Sequence, residues 1–349
     1  MADLRARLCA VLLLLAAAPA AAKPSVGRLL KLLPQVQGDG QLRLIRALGR
    51  SGKPKDAAGP LLALLDVRKD SPRRSAVIVE ALGRLGDGRA AGALLGAWDY
   101  LVSLRQQMDL TAQVQVLRLA VIEALGGVGG EAAGRALLEA LSDPDPAVVQ
   151  AAARALGAMR ERKAVDALAE LAGRGGDVGQ SACEALGAVG DAKGWPALER
   201  VLRAENAVQA APAAYGLARL GRKEGGKALE AMLESSLTGE ASGRVAAYYL
   251  VRLDRRAGLD FLAQLLESEQ SGLPLLAAEA LGKAGNERAV LPLVEALPGA
   301  ETSLRLAIAQ ALGRLGGTRA AAALKKLRDD GNMAVRNAAA AALEDLGED

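Results

Sequence analysis

Apolar residues recur with helical spacing between polar start and stop signals, and the clearest example is the stretch Asp143–Gly157. Asp143 and Asp145 can accept hydrogen bonds from the free N–H groups at a helix start, and the prolines beside them suit a first helical turn. An alanine-rich apolar face follows. Gly157 fits the left-handed conformation that ends many helices. The stretch therefore predicts one short helix that stops at this glycine.

The ending Ala-Leu-Gly, or a close variant of it, recurs along the chain. Its leucines, called the signature leucines below, are Leu48, Leu82, Leu125, Leu156, Leu186, Leu217, Leu250, Leu281, Leu312 and Leu343. Successive signature leucines lie 30 to 43 residues apart, and a period in this range is typical of a stacked array. Each period also holds an earlier apolar segment, such as residues 136–141. The pattern therefore predicts two helices per repeat and no strand.

These features make the chain resemble HEAT repeats of the short bacterial type, often called phycobilisome-lyase-like repeats. The stretch Asp143–Gly157 carries the resemblance most closely. About ten repeats are covered, which is nearly the whole chain. The resemblance implies an all-α fold, an α-α superhelix (solenoid) of about ten two-helix repeats. It implies little about function, because one architecture hosts many unrelated activities.

The first residues have the pattern of a cleaved targeting segment. Arg5 and Arg7 precede a short apolar run, and three alanines end at Ala22, as in a secretory signal peptide. We therefore expect residues 1–22 to be a signal peptide and residues 23–349 to form the HEAT-repeat solenoid. The apolar run is too short to cross a bilayer comfortably. The sequence predicts an exported protein, periplasmic or secreted, without stable membrane insertion.

The composition argues against several chemistries. The chain contains no histidine, which excludes Ser-His and Cys-His catalysis and histidine-ligated metals. HEAT-repeat hydroxylases that bind iron through His-Glu pairs are excluded as functional relatives for the same reason. Cys183 is the only cysteine after the expected cleavage site and reads as a small buried hydrophobe. The formal net charge of +4 is spread over interleaved charges, so a nucleic-acid partner is not predicted. We expect no enzyme activity, cofactor or metal.

The third repeat, residues 83–125, is enlarged. The extra residues predict two long helices, at 89–107 and 110–125. In one interpretation these helices only pack on their neighbours, since apolar stripes usually form core. In the other, the repeat is a docking or self-association element that exposes Trp98 and Tyr100.

A candidate partner surface follows from positions two residues before and two after each signature leucine, which share one side of the second helix. Tyr215 and Tyr248 occupy the first position in adjacent repeats, and Arg219 and Arg252 occupy the second. The acidic residues Glu184 and Glu279 occupy the first position in flanking repeats. Tyrosine and arginine often carry interface energy. The positions six residues before the signature leucines are expected on the same side. One alternative is that the tyrosines only fill gaps. The other is that the leucines at that position, Leu42, Leu119, Leu275 and Leu306, are partly buried, which would mean that the exposed side is rotated away from them.

The sequence favours an exported, non-catalytic scaffold that binds a protein or peptide partner on the concave face of second helices. Two other functions stay open. The resemblance to lyase-like repeats implies a lyase-like or chaperone-like accessory protein that handles a prosthetic group. The enlarged repeat is compatible with a structural envelope component that associates with itself.

Overall fold

A computed structural model describes residues 25–107, 111–204, 207–236 and 240–348. The expected signal peptide lies outside these residues. Across these ranges the chain forms 20 α-helices and no strand. None of the described helices combines the length and apolar character needed to cross a membrane. The chain divides into two compact units, Met1–Gly194 and Trp195–Asp349, and each is treated separately below.

In the first unit the helices are α1 (Val26–Leu32), α2 (Asp39–Gly49), α3 (Pro54–Leu64), α4 (Pro72–Leu85), α5 (Ala91–Gln107), α6 (Ala112–Val128), α7 (Glu131–Ala140), α8 (Pro146–Met159), α9 (Val165–Ala172) and α10 (Gly176–Val189). In the second unit they are α11 (Trp195–Arg203), α12 (Ala207–Arg219), α13 (Lys223–Ser235), α14 (Ala241–Arg252), α15 (Arg256–Leu266), α16 (Leu273–Ala284), α17 (Val290–Glu295), α18 (Thr302–Leu315), α19 (Gly317–Leu327) and α20 (Met333–Leu346).

Consecutive helices form ten pairs, and the two helices of each pair contact one another. Every signature leucine lies on the second helix of its pair and is at most 2% exposed. Within each unit, each second helix also contacts the second helix of the next pair. The predicted all-α solenoid of two-helix repeats is therefore confirmed. Its core is formed by the apolar faces between paired and stacked helices.

The start of α8 follows the chemistry that its sequence predicts. The Asp145 carboxylate accepts a hydrogen bond from the Ala147 N–H at 2.8 Å, and Pro146 is the first helical residue. The Asp143 carboxylate accepts from the Asp145 N–H at 2.9 Å, which tightens the turn before the helix. Side-chain capping of this kind satisfies N–H groups that have no partner inside the helix.

The predicted stop at Gly157 is wrong. Helix α8 continues to Met159, and Arg160 provides the left-handed C-cap with φ 54°. Gly157 instead faces the next repeat, where a Cβ atom on it would lie 3.0 Å from the Cα of Ala185. This glycine is needed for the close approach of two helices rather than for a turn.

The same contact recurs wherever the Ala-Leu-Gly ending is intact within one unit. The glycine after one signature leucine packs against the alanine before the next. The pairs are Gly49 with Ala81, Gly83 with Ala124, Gly126 with Ala155, Gly157 with Ala185, Gly282 with Ala311 and Gly313 with Ala342. A Cβ atom on any of these glycines would come within 2.6–3.0 Å of a backbone or Cβ atom of its partner. The repeated ending is thus a helix-stacking contact.

This contact generates a prediction for stability. We expect Gly83→Ala to lower the free energy of unfolding by about 1–3 kcal/mol, because the added Cβ would lie 2.6 Å from the Cα of Ala124 and force the helices apart. Gly96→Ala is the matched control, because Gly96 is an exposed helical glycine of the same unit with nothing within 4 Å of the added atom. There we expect a gain of about 0.4–1 kcal/mol from the stiffer unfolded chain. Urea denaturation measures both, and equal effects would contradict the stacking role.

Candidate interaction surface

The position two residues before each signature leucine lies on the solvent side of the second helices. Its occupants are exposed or partly exposed in every repeat except the sixth, which carries Tyr215. The other nine are Arg46, Glu80, Glu123, Arg154, Glu184, Tyr248, Glu279, Gln310 and Ala341. The leucines six residues before the signature leucine are buried or partly buried, namely Leu42, Leu119, Leu275 and Leu306. In the repeats that carry these leucines, the exposed side is therefore rotated away from the position six before the signature leucine, which is the predicted alternative, while the positions two before and two after it stay on the exposed side.

Tyr215 departs from this pattern, and its predicted place on the solvent side is wrong. It is 2% exposed, and its ring centroid lies 4.9 Å from that of Tyr249. Tyr249 is fully buried and precedes its signature leucine, where most repeats have alanine. The ring of Tyr249 therefore gives the ring of Tyr215 an aromatic surface to pack against. Tyr215 therefore forms the base of the surface rather than its face.

Two arginines cover these rings. The Arg252 guanidinium carbon lies 4.5 Å from the ring centroid of Tyr215, 5.5 Å from that of Tyr248 and 5.8 Å from that of Tyr249. The Arg219 guanidinium carbon lies 5.9 Å from the Tyr215 centroid. Such cation–π contacts contribute about 0.5–2 kcal/mol each. These five residues are called the Tyr–Arg cluster below.

Hydrogen bonds fix the same groups. Arg219 donates to the Tyr215 hydroxyl at 3.2 Å, and Arg252 donates to the Tyr248 hydroxyl at 3.4 Å. Arg219 is exposed, whereas Tyr248 and Arg252 are half-buried. The cluster therefore presents two cations and one tyrosine to solvent on a fixed aromatic base. The sequence identified four of its members and missed Tyr249, although a bulky residue at an alanine position was a visible signal.

The two predicted acidic residues lie in different units. Glu279 is exposed on α16 and accepts a hydrogen bond from Lys283, with 2.6 Å between their charged atoms. That hydrogen bond and the charge of Lys283, with a further contribution from Arg314, lower the pKa of Glu279. Glu184 is half-buried on α10 in the first unit, where Gln180 donates to it at 3.3 Å.

The enlarged third repeat packs inward. Helices α5 and α6 have 17 residues each. Trp98 on α5 is 5% exposed, so the interpretation in which it protrudes is wrong. The guanidinium carbon of Arg118 lies 5.5 Å from its ring centroid and shields the indole. Tyr100 is half-buried, with the guanidinium carbon of Arg68 5.4 Å from its ring.

Arg118 is itself buried at 1% exposure, which is rare for a charged side chain. Its Nη2 donates to the Asp143 carboxylate at 2.7 Å, and its Nη1 lies 3.9 Å from the Asp145 carboxylate. The aspartate that tightens the turn before α8 thus also balances a charge carried by α6. The ion pair joins the third repeat to the fourth.

The structure describes no group of three or more histidine, cysteine, aspartate or glutamate residues that could hold a metal ion. One cavity of about 330 Å³ is lined by Asp254, Arg255, Arg256, Asp260, Asn286 and Arg288, among others. Arg288 and Arg256 pair there with Asp254 and Asp260, each at 3.2 Å. Two of the three arginines that line this cavity are thus paired with aspartates.

Breaking the buried ion pair yields a second stability prediction. We expect Asp143→Ala to lower the free energy of unfolding by about 3–5 kcal/mol, because Arg118 would keep a buried charge without its nearest carboxylate. The control is Asp39→Ala, which removes an exposed partner of Arg73 at 3.1 Å. That change should cost no more than about 1 kcal/mol. A small effect of Asp143→Ala in urea denaturation would contradict the role given to this pair.

Cys183 yields a prediction for reactivity. It is 1% exposed, and burial, followed by the neighbouring charge of Glu184, raises the pKa of its thiol to about 12. At pH 8 the thiol is therefore protonated and shielded, and the thiolate is the reactive form. We expect iodoacetamide to alkylate Cys183 at least about tenfold faster in urea-unfolded protein than in folded protein. Peptide mass spectrometry resolves this site, and equal rates would show an accessible thiol.

Comparison with known proteins supports the fold assignment. The sequence matches the family HEAT repeats over residues 102–179 and 259–344, and no curated protein matches significantly. A solved structure of human deoxyhypusine hydroxylase in complex with glycerol shares 22% identity, covering 75% of this chain and 97% of that one, with a TM-score of 0.40. An engineered protein shares 22% identity, covering 92% of this chain and 98% of its own, with a TM-score of 0.35. At such TM-scores neither structure informs function. The chain therefore contains HEAT repeats in both units, and the helix pairs that stack within each unit have the same two-helix architecture.

Proposed function

We propose that the protein is an exported, non-catalytic scaffold that binds a protein or peptide partner on the exposed face of its second helices. The Tyr–Arg cluster carries this proposal. It places a half-buried tyrosine and two arginines on one solvent-facing surface, and these residue types dominate binding energy at protein interfaces.

The buried base of the cluster supports binding by holding the exposed groups in place. Arg252 contacts three rings at once, and two of those rings are 2% exposed or less. A side chain that is already held loses less conformational entropy when a partner binds. The cluster can therefore present Tyr248, Arg219 and Arg252 in one arrangement before the partner arrives.

Leu276 extends this surface with an apolar group. It lies on α16 of the second unit and is 43% exposed, which is uncommon for leucine here. Its position five residues before Leu281 places it on the outward side of the helix, near the Glu279 position. A partner that contacts the second helices would meet an apolar group beside charged ones, as at ordinary interfaces.

A photo-crosslinking experiment tests the scaffold. A photoreactive amino acid at Leu276 reports on the second-helix face, and the same residue at Leu291 is the matched control. Leu291 is a 56% exposed leucine on the first helix α17 of the same unit. In the envelope of the native cell, we expect Leu276 to crosslink one protein that Leu291 does not.

The variant Arg219→Glu with Tyr248→Ala should remove that crosslink, because it changes one exposed and one half-buried member of the cluster and keeps the buried Tyr215 and Tyr249. Tyr215→Ala is unsuitable here, because truncating a buried aromatic residue costs about 3–5 kcal/mol of stability. Circular dichroism verifies that the variant is folded. Crosslinks that are equal at both positions, or that persist in the variant, would contradict the proposed face. Turnover of a substrate by the purified protein would contradict its non-catalytic character.

A further inference from the structure

Four successive second helices of the second unit carry a basic residue at the same place. The position two residues after the signature leucine is occupied by Arg219 on α12, Arg252 on α14, Lys283 on α16 and Arg314 on α18. We call these four residues the basic row. Arg252 is half-buried and the other three are exposed. Because the position is the same in each repeat, the four charges advance along the stack by one helix spacing at a time.

Within the second unit, the first two residues of the basic row share one neighbouring group, and the last two share another. Arg219 and Arg252 both lie over the ring of Tyr215, at 5.9 and 4.5 Å. Lys283 and Arg314 both lie near Glu279 and lower the pKa of its carboxyl. The side chains of neighbouring repeats thus approach common groups, which agrees with the shared register.

The outward positions of the sixth to ninth repeats are predominantly basic. In these four repeats, the positions six before, two before and two after the signature leucine hold five basic side chains, namely the basic row and Arg244, and one acidic side chain, Glu279. The same positions of the first unit are nearly balanced. There, four basic residues stand against three acidic ones: Arg46, Arg50, Arg84 and Arg154 against Glu80, Glu123 and Glu184. The basic character is therefore specific to the sixth to ninth repeats, since the tenth carries Asp345 two residues after its signature leucine.

We propose that the partner binds the basic row through an acidic segment in extended conformation, with a carboxylate at about every third residue. This inference rests on the scaffold function proposed above and specifies the partner's chemistry. Packed helices lie about 8–10 Å apart. An extended chain advances about 3.3 Å per residue and a polyproline II chain about 3.1 Å, so three residues match one repeat. In polyproline II, which has three residues per turn, every third side chain also points the same way.

The spacing favours an acidic peptide over nucleic acid. Each strand of duplex DNA carries a phosphate about every 3.4 Å, and proteins meet this density with clustered basic residues. The row offers one cation per helix spacing, and Lys283 is paired with the carboxylate of Glu279 at 2.6 Å. Sparse cations beside a tyrosine and an exposed leucine suit a polypeptide.

Fluorescence anisotropy with synthetic peptides tests the inference on the full mature chain. The probe is a labelled peptide of four Glu-Pro-Pro units. One control replaces each Glu with Gln, and a second has the same composition with its four Glu residues adjacent. We expect the periodic acidic probe to bind at least about tenfold more tightly than the Gln peptide and more tightly than the clustered one. Raising the salt concentration should weaken its binding.

A matched pair of variants locates the site. Arg219→Glu, Lys283→Glu and Arg314→Glu together reverse the three exposed members of the row and spare Arg252, which packs on the tyrosines. Lys223→Glu, Lys227→Glu and Arg319→Glu reverse three exposed charges on the first helices α13 and α19 of the same unit. We expect the first variant to bind the probe at least about tenfold more weakly than the second, with both folded by circular dichroism.

The outcomes separate this inference from the scaffold function. Equal binding of the periodic and clustered probes, or equal loss in the two variants, would overturn the inference. Tighter row-dependent binding of a single-stranded oligonucleotide or of phosphatidylglycerol vesicles would also overturn it. If the peptides fail while the Leu276 crosslink persists, the acidic partner is wrong and the scaffold stands. If both fail, the scaffold function fails too.

Discussion

The fold depends on the close approach of each second helix to the next. A glycine after one signature leucine meets an alanine before the following one, with no room for a side chain between them. Direct contact of helix backbones maximises dispersion contacts along the stack. It also fixes the register of neighbouring helices, because each glycine accepts only a small residue. Alanine and glycine therefore recur as regularly as the buried leucine between them.

The candidate surface occurs where this constraint is relaxed. In the sixth repeat the signature leucine is followed by Ala218 instead of glycine, and in the seventh it lies between Tyr249 and Val251. Large side chains replace the small ones of the other junctions, and Tyr249 packs against both Tyr215 and Tyr248 at 4.9 Å between ring centroids. Natural proteins usually depart from a local packing rule at functional or strained sites. The departure from the small-residue contact is thus a physical reason to place the site here.

The sequence period made the fold predictable, whereas it did not predict the burial of certain single side chains. The leucine spacing predicts ten helix pairs, because burial of one face per helix is set by sequence position. Gly157 was misplaced as a helix stop because its role depends on Ala185, 28 residues further along the sequence. Tyr215 was expected at the surface, and Trp98 was in one of two interpretations of the enlarged repeat, yet Tyr249 and Arg118 cover them. Such burial depends on tertiary partners that helical periodicity does not contain.

The placement of charge, rather than its total, distinguishes the second-helix face. A formal net charge of +4 over 349 residues gives no strong global field. In a repeat array, however, a basic residue at one position of each repeat creates a line of charges with the period of the helices. The distance between neighbouring packed helices is then also the distance between successive charges. A ligand that matches this period can use all of them together, whereas an equally charged ligand with another period uses only some. The spacing between neighbouring second helices therefore sets a length scale for the proposed recognition as well as for folding.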